Sequence, residues 1–298
     1  MSKLKWNKVG ERLYETGVDR TVLYIPNDVG VYDEGFAWNG MIAITESPEG
    51  AESSPQYADN IKYLNLVSAE EAKLSLEAST YPKESEPCDG LISPAPGLTI
   101  GQQTRRTFGL AWRTKIGNDL VGDDYGYKLH LAYGCLAAPS EKAYNTVNDS
   151  PEAMTLNWDV STTPISVEII DPATGNYLRP ASLITLDSTV VEGAIMEIIE
   201  EMLYGSTGMN ARLPLPSEIY QLLINGAPTR VTPLQPTYNS TTHTITIPPT
   251  TGVIYEINDE TVTGNVVIDT DTLVSARPSG GYRFPDVVDN EWVFMVLI

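Results

Sequence analysis

The chain of 298 residues carries 39 acidic and 19 basic side chains, a formal charge of −20 that repels phosphates and argues against ordinary high-affinity binding of DNA or RNA. Its apolar fraction of 42% suffices for packed cores and its length suits two domains, which excludes a disordered chain. Cys88 and Cys135 are its only cysteines; with no CxxC pair they exclude a disulfide-dense scaffold, a zinc knuckle and thiol redox chemistry, and both are expected reduced and buried.

Short β-branched or aromatic runs alternate with Gly, Pro, Asn and Asp along most of the chain, which predicts strands and turns. Arg12 to Thr16 and Thr21 to Ile25 read as two strands joined through Gly17 and Asp19, and Phe36 to Glu46 as a further strand. Ser47 to Asn60, polar and holding two prolines, reads as a long exposed loop. Lys62 to Ser68 and Ala72 to Thr80 read as a strand pair.

Thr104 to Lys115 and Tyr127 to Leu136 flank a turn from Gly117 to Gly126. In the latter strand Tyr127, Leu129, Leu131 and Tyr133 alternate with Lys128, His130 and Ala132, which predicts one buried and one wetter face. Glu141 to Val147 and Met154 to Thr162 complete the meander, whose edges need covering or pairing, and a second copy of the chain is one solution. A helix is predicted over Val190 to Tyr204, where Val191, Ile195, Ile198, Ile199, Met202 and Leu203 share a face. Thr189 and Glu192 form a capping-box pair there, and Gly205 is the stop.

After Asn225-Gly226 the composition turns to Thr, Val, Ile and Pro. Residues 226–298 read as a small β-sandwich of five or six strands, with turns at Asn258-Asp259, Gly264, Asp269 and Gly280-Gly281, entered through a stiff linker at Pro228, Pro233 and Pro236. The run Trp292 to Ile298 fits a closing strand covered on both faces. No stretch approaches the roughly 20 apolar residues of a membrane-spanning helix, and the start of the chain lacks the apolar core of a signal peptide, so the cytosol is the expected place of synthesis.

Chemistry is sparse. His130 and His243 each sit in strand-like alternation without a motif, and no nucleophile elbow, P-loop, H-E-x-x-H or dinucleotide fingerprint occurs, so no enzyme activity, cofactor or metal is expected. Asp119, Asp123 and Asp124 form the densest carboxylate group, but they miss the EF-hand register and read as a solvated turn. Arg105-Arg106 read as a contact to an acidic neighbouring subunit. Tyr282, Phe284 and Trp292 read as sandwich core, with Tyr282 and Trp292 as the candidates for a surface that binds sugars.

Five strings, in order, carry a family resemblance: Trp6-Asn7-Lys8-Val9-Gly10-Glu11-Arg12-Leu13-Tyr14-Glu15-Thr16-Gly17-Val18-Asp19-Arg20, Ala37-Trp38-Asn39-Gly40, Tyr57-Ala58-Asp59-Asn60-Ile61-Lys62-Tyr63, Thr99-Ile100-Gly101-Gln102-Gln103-Thr104 and Tyr125-Gly126-Tyr127-Lys128-Leu129-His130. Over about residues 1–222 the chain resembles the major tail, or tail tube, proteins of long-tailed siphovirus-type bacteriophages. That resemblance implies a β-sandwich or barrel with one flanking helix (residues 1–225) and an immunoglobulin-like module on the tube exterior (226–298). It also implies hexameric rings stacked into the virion's genome conduit, assembled in the host cytoplasm. The long loop, here Pro48, Glu49, Gly50, Pro55, Tyr57 and Asp59, would make the ring-to-ring contact. The implied partners are further copies of the chain, the tape-measure, tail terminator and tip proteins, and DNA that passes without specific binding, with weak host-surface contact by the last module. Two other readings are a monomeric cell-surface or glycan-binding β-sandwich protein and a glycosidase using Asp123 or Asp124 as acid.

Overall fold

A computed structural model describes residues 4–144, 146, 153–258, 260–285 and 287–296. Parts of the expected strand Glu141 to Val147, the turn residue Asp259 and the chain ends at Met1–Lys3 and Leu297-Ile298 therefore lie outside the described residues. The chain is mainly β, as its punctuation predicts. The strands up to the first helix are β1 (Tyr14–Tyr24), β2 (Gly35–Ala37), β3 (Met41–Glu46), β4 (Glu49–Gly50), β5 (Ser53–Ala58), β6 (Ile61–Val67), β7 (Glu70–Glu71), β8 (Lys73–Ala78), β9 (Ile92–Ala95), β10 (Leu98–Ile100), β11 (Phe108–Asn118), β12 (Gly122–Ala137), β13 (Leu156–Thr162) and β14 (Leu183–Asp187). Helices α1 (Gly193–Tyr204) and α2 (Pro216–Asn225) follow. After them come β15 (Thr229–Arg230), β16 (Thr237–Asn239), β17 (Thr244–Ile247), β18 (Val253–Ile257), β19 (Glu260–Val262), β20 (Gly264–Val267), β21 (Thr272–Pro278), β22 (Tyr282–Arg283) and β23 (Glu291–Phe294). These elements form two compact units. The first runs to Gly205 and includes Asn210–Tyr220; the second takes Ser206–Met209 and everything from Gln221 onward, so the division falls inside α2.

In the first unit the order β2-β1-β11-β12-β13-β8-β3, with β14 also on β12, comes from one long strand serving two layers. One edge of β12 pairs with β11 throughout. Its other edge pairs with β14 through Lys128–Ala132 and then with β13 through Cys135–Ala137. The switch falls at Gly134, whose φ is +59°; a Cβ there would stand 2.2 Å from the Thr163 carbonyl oxygen, so the crossover admits only glycine. The two layers then face each other. Leu23, Phe108, Leu110, Trp112, Ala132 and Cys135 from one layer pack against Leu74, Leu76, Leu156, Trp158 and Val160 from the other, with Trp38 edge-on to Trp158 at 5.2 Å.

Several expectations for this unit are corrected. Arg12 to Thr16 and Thr21 to Ile25 are not two strands: β1 is a single strand paired with β11, and Gly17 and Arg20, both with positive φ, sit at its two bulges. The stretch Phe36 to Glu46 is broken by the turn at Gly40 (φ +77°) into β2 and β3. Lys62 to Ser68 does not pair with Ala72 to Thr80; β8 lies between β13 and β3 instead. Glu141 to Tyr144 is not strand. β12 has no wet face from Leu129 to Tyr133, because the side opposite the two-layer core is buried as well, where Tyr24 Oη of β1 donates to the Leu203 carbonyl in α1 (2.6 Å) and Tyr133 Oη to that of Pro214 (2.7 Å). The α1 stripe Ile195, Ile198, Ile199 and Leu203 is buried as its spacing predicts, and Gly205 ends the helix. The capping box is not formed, since the Thr189 hydroxyl is committed to Asp187 (2.6 Å). Helix α2, unforeseen, starts at Pro216 and buries Ile219.

In the second unit β16-β17-β20 and β19-β18-β21-β23 enclose Ile245, Ile247, Tyr255, Ile268, Val274 and Ala276. Leaving aside the short β15/β22 pair, strands one, two and five face strands four, three, six and seven, an immunoglobulin-like arrangement. The prolines are not a free linker: β15 pairs with β22, and Leu234 exchanges two hydrogen bonds with Tyr255 Oη (2.9 and 2.7 Å). The closing strand is not covered on both faces, because β23 is an edge strand with Trp292 and Phe294 turned inward and Val293 out. His243 occupies a turn with φ +47°, not a strand.

Candidate assembly surfaces

The expected loop Ser47 to Asn60 is instead the outgoing half of a β-ribbon. Its base is the β4/β7 pair, where Glu49 meets Lys73 Nζ at 2.5 Å and Gly50 (φ +89°) leaves room for the Ala69 carbonyl. Beyond the base, β5 and β6 pair up to a two-residue turn, Asp59-Asn60. Both residues have positive φ, which is the backbone of a type I′ hairpin and suits Asp and Asn. Every residue from Ser53 to Val67 is exposed, Tyr57 by 71% and Leu66 by 56%. Leu64 and Leu66 share one face, Val67 lies on the other, and Ile61, Tyr57 and Tyr63 crowd the tip. A two-stranded ribbon that buries nothing has little stability in water, and its apolar surface is a liability unless something covers it.

The expected contact residues thus divide. Pro48, Glu49 and Gly50 form the ribbon's base, while Pro55, Tyr57 and Asp59 lie along it and at its tip.

A second surface is the edge of the first layer. Among the described residues, strand β2 covers β1 only from Val22 to Tyr24, so Tyr14 to Arg20 has a strand neighbour on one side alone, and β14 pairs only with β12. The strands β1, β11, β12 and β14 therefore make a four-stranded antiparallel sheet with two free edges. The β1 edge is held rigidly: Asp19 takes two 2.7 Å bonds from Arg113, whose guanidinium lies over the Tyr127 ring, and that pairing holds the Asp19 carboxyl below its usual pKa. Glu15 accepts from Lys128 (2.6 Å) and Thr114 (2.7 Å). His130, stacked on Trp112, lies 2.9 Å from Thr114 Oγ1 and within 4 Å of the Glu15 and Glu46 carboxylates. Burial lowers its pKa despite those carboxylates, whose charge acts the other way.

The remaining candidates are spent on internal structure. Asp119 accepts from the Gly10 amide (2.9 Å) and Asp123 from Tyr14 Oη (2.7 Å), fastening the N-terminal segment onto the β11–β12 turn; Asp124 is exposed. Among the described residues no group of three or more His, Cys, Asp or Glu is arranged to hold a metal ion. Arg105 is turned inward, while Arg106 is exposed. The former pairs with Asp89 (3.1 Å) and the Ala137 and Ala138 carbonyls, the latter bonds the Pro26 carbonyl, because both stand where loops must be tied to the sheet. Both cysteines are buried and free, and burial pushes the Cys88 thiol up to about 11. Trp292 packs beside Tyr255 and against the sandwich core, and the half-buried Tyr282 covers Gly252, where a Cβ would meet its ring at 2.4 Å.

No protein-family model matches the chain, and no curated protein is similar to it.

Strand β14 and the outgoing half of the ribbon were missed by sequence reasoning. The run Leu-Ile-Thr-Leu-Asp at 183–187 does carry a strand signal, short and unflanked. The ribbon's return strand was visible as a strand, but was assigned Ala72 to Thr80 as its partner in place of β5.

Proposed function

We propose that this chain is a structural virion subunit, not an enzyme, that closes into rings with copies of itself, the rings stacking into the tail tube of a long-tailed bacteriophage. The observation that carries the reading is the pair of free edges on the sheet β1-β11-β12-β14. Successive strands in that sheet are antiparallel, so the outer edges run in opposite directions, and β14 of one copy meets β1 of the next in antiparallel register. Repeated around a ring, this pairing leaves no edge unpaired, which is how a barrel made of several chains stays soluble.

The exposed ribbon supports the stacking step, since its apolar faces match the chemistry of a contact covered only in the assembled state. The five ordered strings carry the resemblance to a family in which both steps occur, and six copies per ring is the number that resemblance implies. In that reading the tape-measure, terminator and tip proteins are the other partners. The second unit decorates the exterior, where weak host-surface contact is its role. The net charge of −20 keeps the passing genome mobile rather than bound.

Negative-stain electron microscopy of the purified full-length chain tests the proposal: rings or hollow tubes are expected. A protein that stays monomeric at every salt and protein concentration tried would overturn it.

A further inference from the structure

Two Asn-Gly pairs occur in the chain, Asn39-Gly40 and Asn225-Gly226, and the fold treats them differently. An asparagine before a glycine is where a backbone can attack its own side chain, because a glycine without Cβ leaves its amide nitrogen unshielded and free to swing round. Whether the attack happens depends on what holds the two groups. At Asn225 both are held: the residue closes α2, its side-chain amide donates to Gln221 Oε1 (3.0 Å), and the Gly226 amide donates to the Leu222 carbonyl (3.0 Å). Reaction there must first undo the last turn of the helix. At Asn39 neither is held. Asn39-Gly40 is the exposed turn between β2 and β3, with Gly40 at φ +77°, and among the described residues no hydrogen bond engages the Asn39 side chain or the Gly40 amide. The turn is anchored on either side instead, by the Trp38 amide on the Thr21 carbonyl and the Ser79 amide on the Gly40 carbonyl, both at 2.8 Å.

We propose that Asn39 is a site of spontaneous deamidation, and that α2 protects Asn225 from the same reaction. The Gly40 nitrogen attacks Asn39 Cγ and closes a cyclic succinimide. The bond from Cγ to the side-chain nitrogen breaks, and that nitrogen leaves as ammonia, taking the proton that the Gly40 amide gives up. Water then opens the ring at one of its two carbonyls. The product is aspartate, or isoaspartate, in which the main chain runs through the side-chain carbon and is one methylene longer. Either product turns a neutral amide into a carboxylate. Asn39 lines a wedge of about 570 Å³ beside the bare β1 edge, so the new charge enters a cavity to which Asp19 already contributes a carboxylate. Isoaspartate also lengthens the β2–β3 connection between its two anchoring bonds.

Peptide mapping decides it. The purified full-length chain is held in warm, mildly alkaline buffer and sampled over days, with a parallel sample in urea. Trypsin puts the two Asn-Gly pairs on different peptides, and tandem mass spectrometry reads the amide-to-acid mass gain on each. Methyl transfer by an isoaspartyl methyltransferase scores the isoaspartate. In the folded protein, conversion at Asn39 is expected to run on the order of tenfold faster than at Asn225, since the latter must give up the Gly226 hydrogen bond; in urea the two should react at similar rates. Equal or faster conversion at Asn225 in the folded protein, or conversion of neither while both react in urea, would overturn the proposal. As a second arm, Asn39→Gln is expected to remove most of the isoaspartate label with an unchanged melting temperature. Label persisting at its full level in that variant would place the reactive residue elsewhere and overturn the assignment.

Discussion

Two hairpins of this chain use the same residues to opposite ends. In β11/β12, Leu129 and Leu131 are buried on one face while Trp112 and Ala132 face the second layer, so both faces are dry. In β5/β6, Leu64 and Leu66 alternate in the same way and both faces are wet. Leucines at alternate positions therefore signal that a face will be covered, not by what. The first hairpin is covered by elements of its own chain; the ribbon, in the reading proposed here, is covered by the next ring.

The contrast can be broken from the core side first. Leu131→Ala, at a position with no exposed surface, is expected to cost about 2–5 kcal/mol, read as a lower denaturant midpoint for the first unit. Gly134→Ala strikes the device that lets β12 serve two layers. Its Cβ collides with a carbonyl at φ +59°, so a loss on the order of 3 kcal/mol is expected in the same measurement. A change under about 0.5 kcal/mol, the range of an ordinary surface substitution, would mean that the crossover relaxes freely.

From the other side, the double variant Leu64→Ser and Leu66→Ser should leave the midpoint within about 0.5 kcal/mol, because neither side chain is buried. Stacking should nevertheless fail, with single rings or monomers replacing tubes in electron micrographs. Normal tubes from this variant would remove the ribbon from the assembly mechanism.

This contrast also explains what could be read in advance. The β11/β12 pair, the α1 stripe and the sandwich after Gly226 were legible because each buries its apolar face against nearby elements of the chain, and periodicity reports that directly. The ribbon was half legible: polar Ser47 to Asn60 reads as a loop and Lys62 to Ser68 as a strand paired with Ala72 to Thr80, since the composition of a strand does not name its partner. Bulged β1 misled for another reason, as Gly17 and Asp19 are equally at home in a turn and in a bulge. The free edge of β14 is invisible to any pattern along the chain, because an edge is defined by the absence of a neighbour in space.

The smallest expected effect concerns pH and again separates the covered hairpin from the bare one. His130 lies inside the β11/β12 layer, and burial holds its pKa below the ordinary 6.5. Thr114 Oγ1 donates to Glu15, so the neutral ring presents Nε2–H to that hydroxyl and keeps Nδ1 free of a proton on the side of Glu46. The unfolded chain therefore takes up the proton first as pH falls. Stability is full above 6.5, declines as pH drops through that value, and levels off once the folded ring is protonated too. The ribbon holds no histidine, so its assembly defect and this slope are separable. His130→Phe keeps a flat ring on Trp112 and leaves Thr114 bonded to Glu15, so a series of urea midpoints from pH 7.5 to 5 should lose the decline in that variant. An identical decline in both proteins would place the titrating group elsewhere.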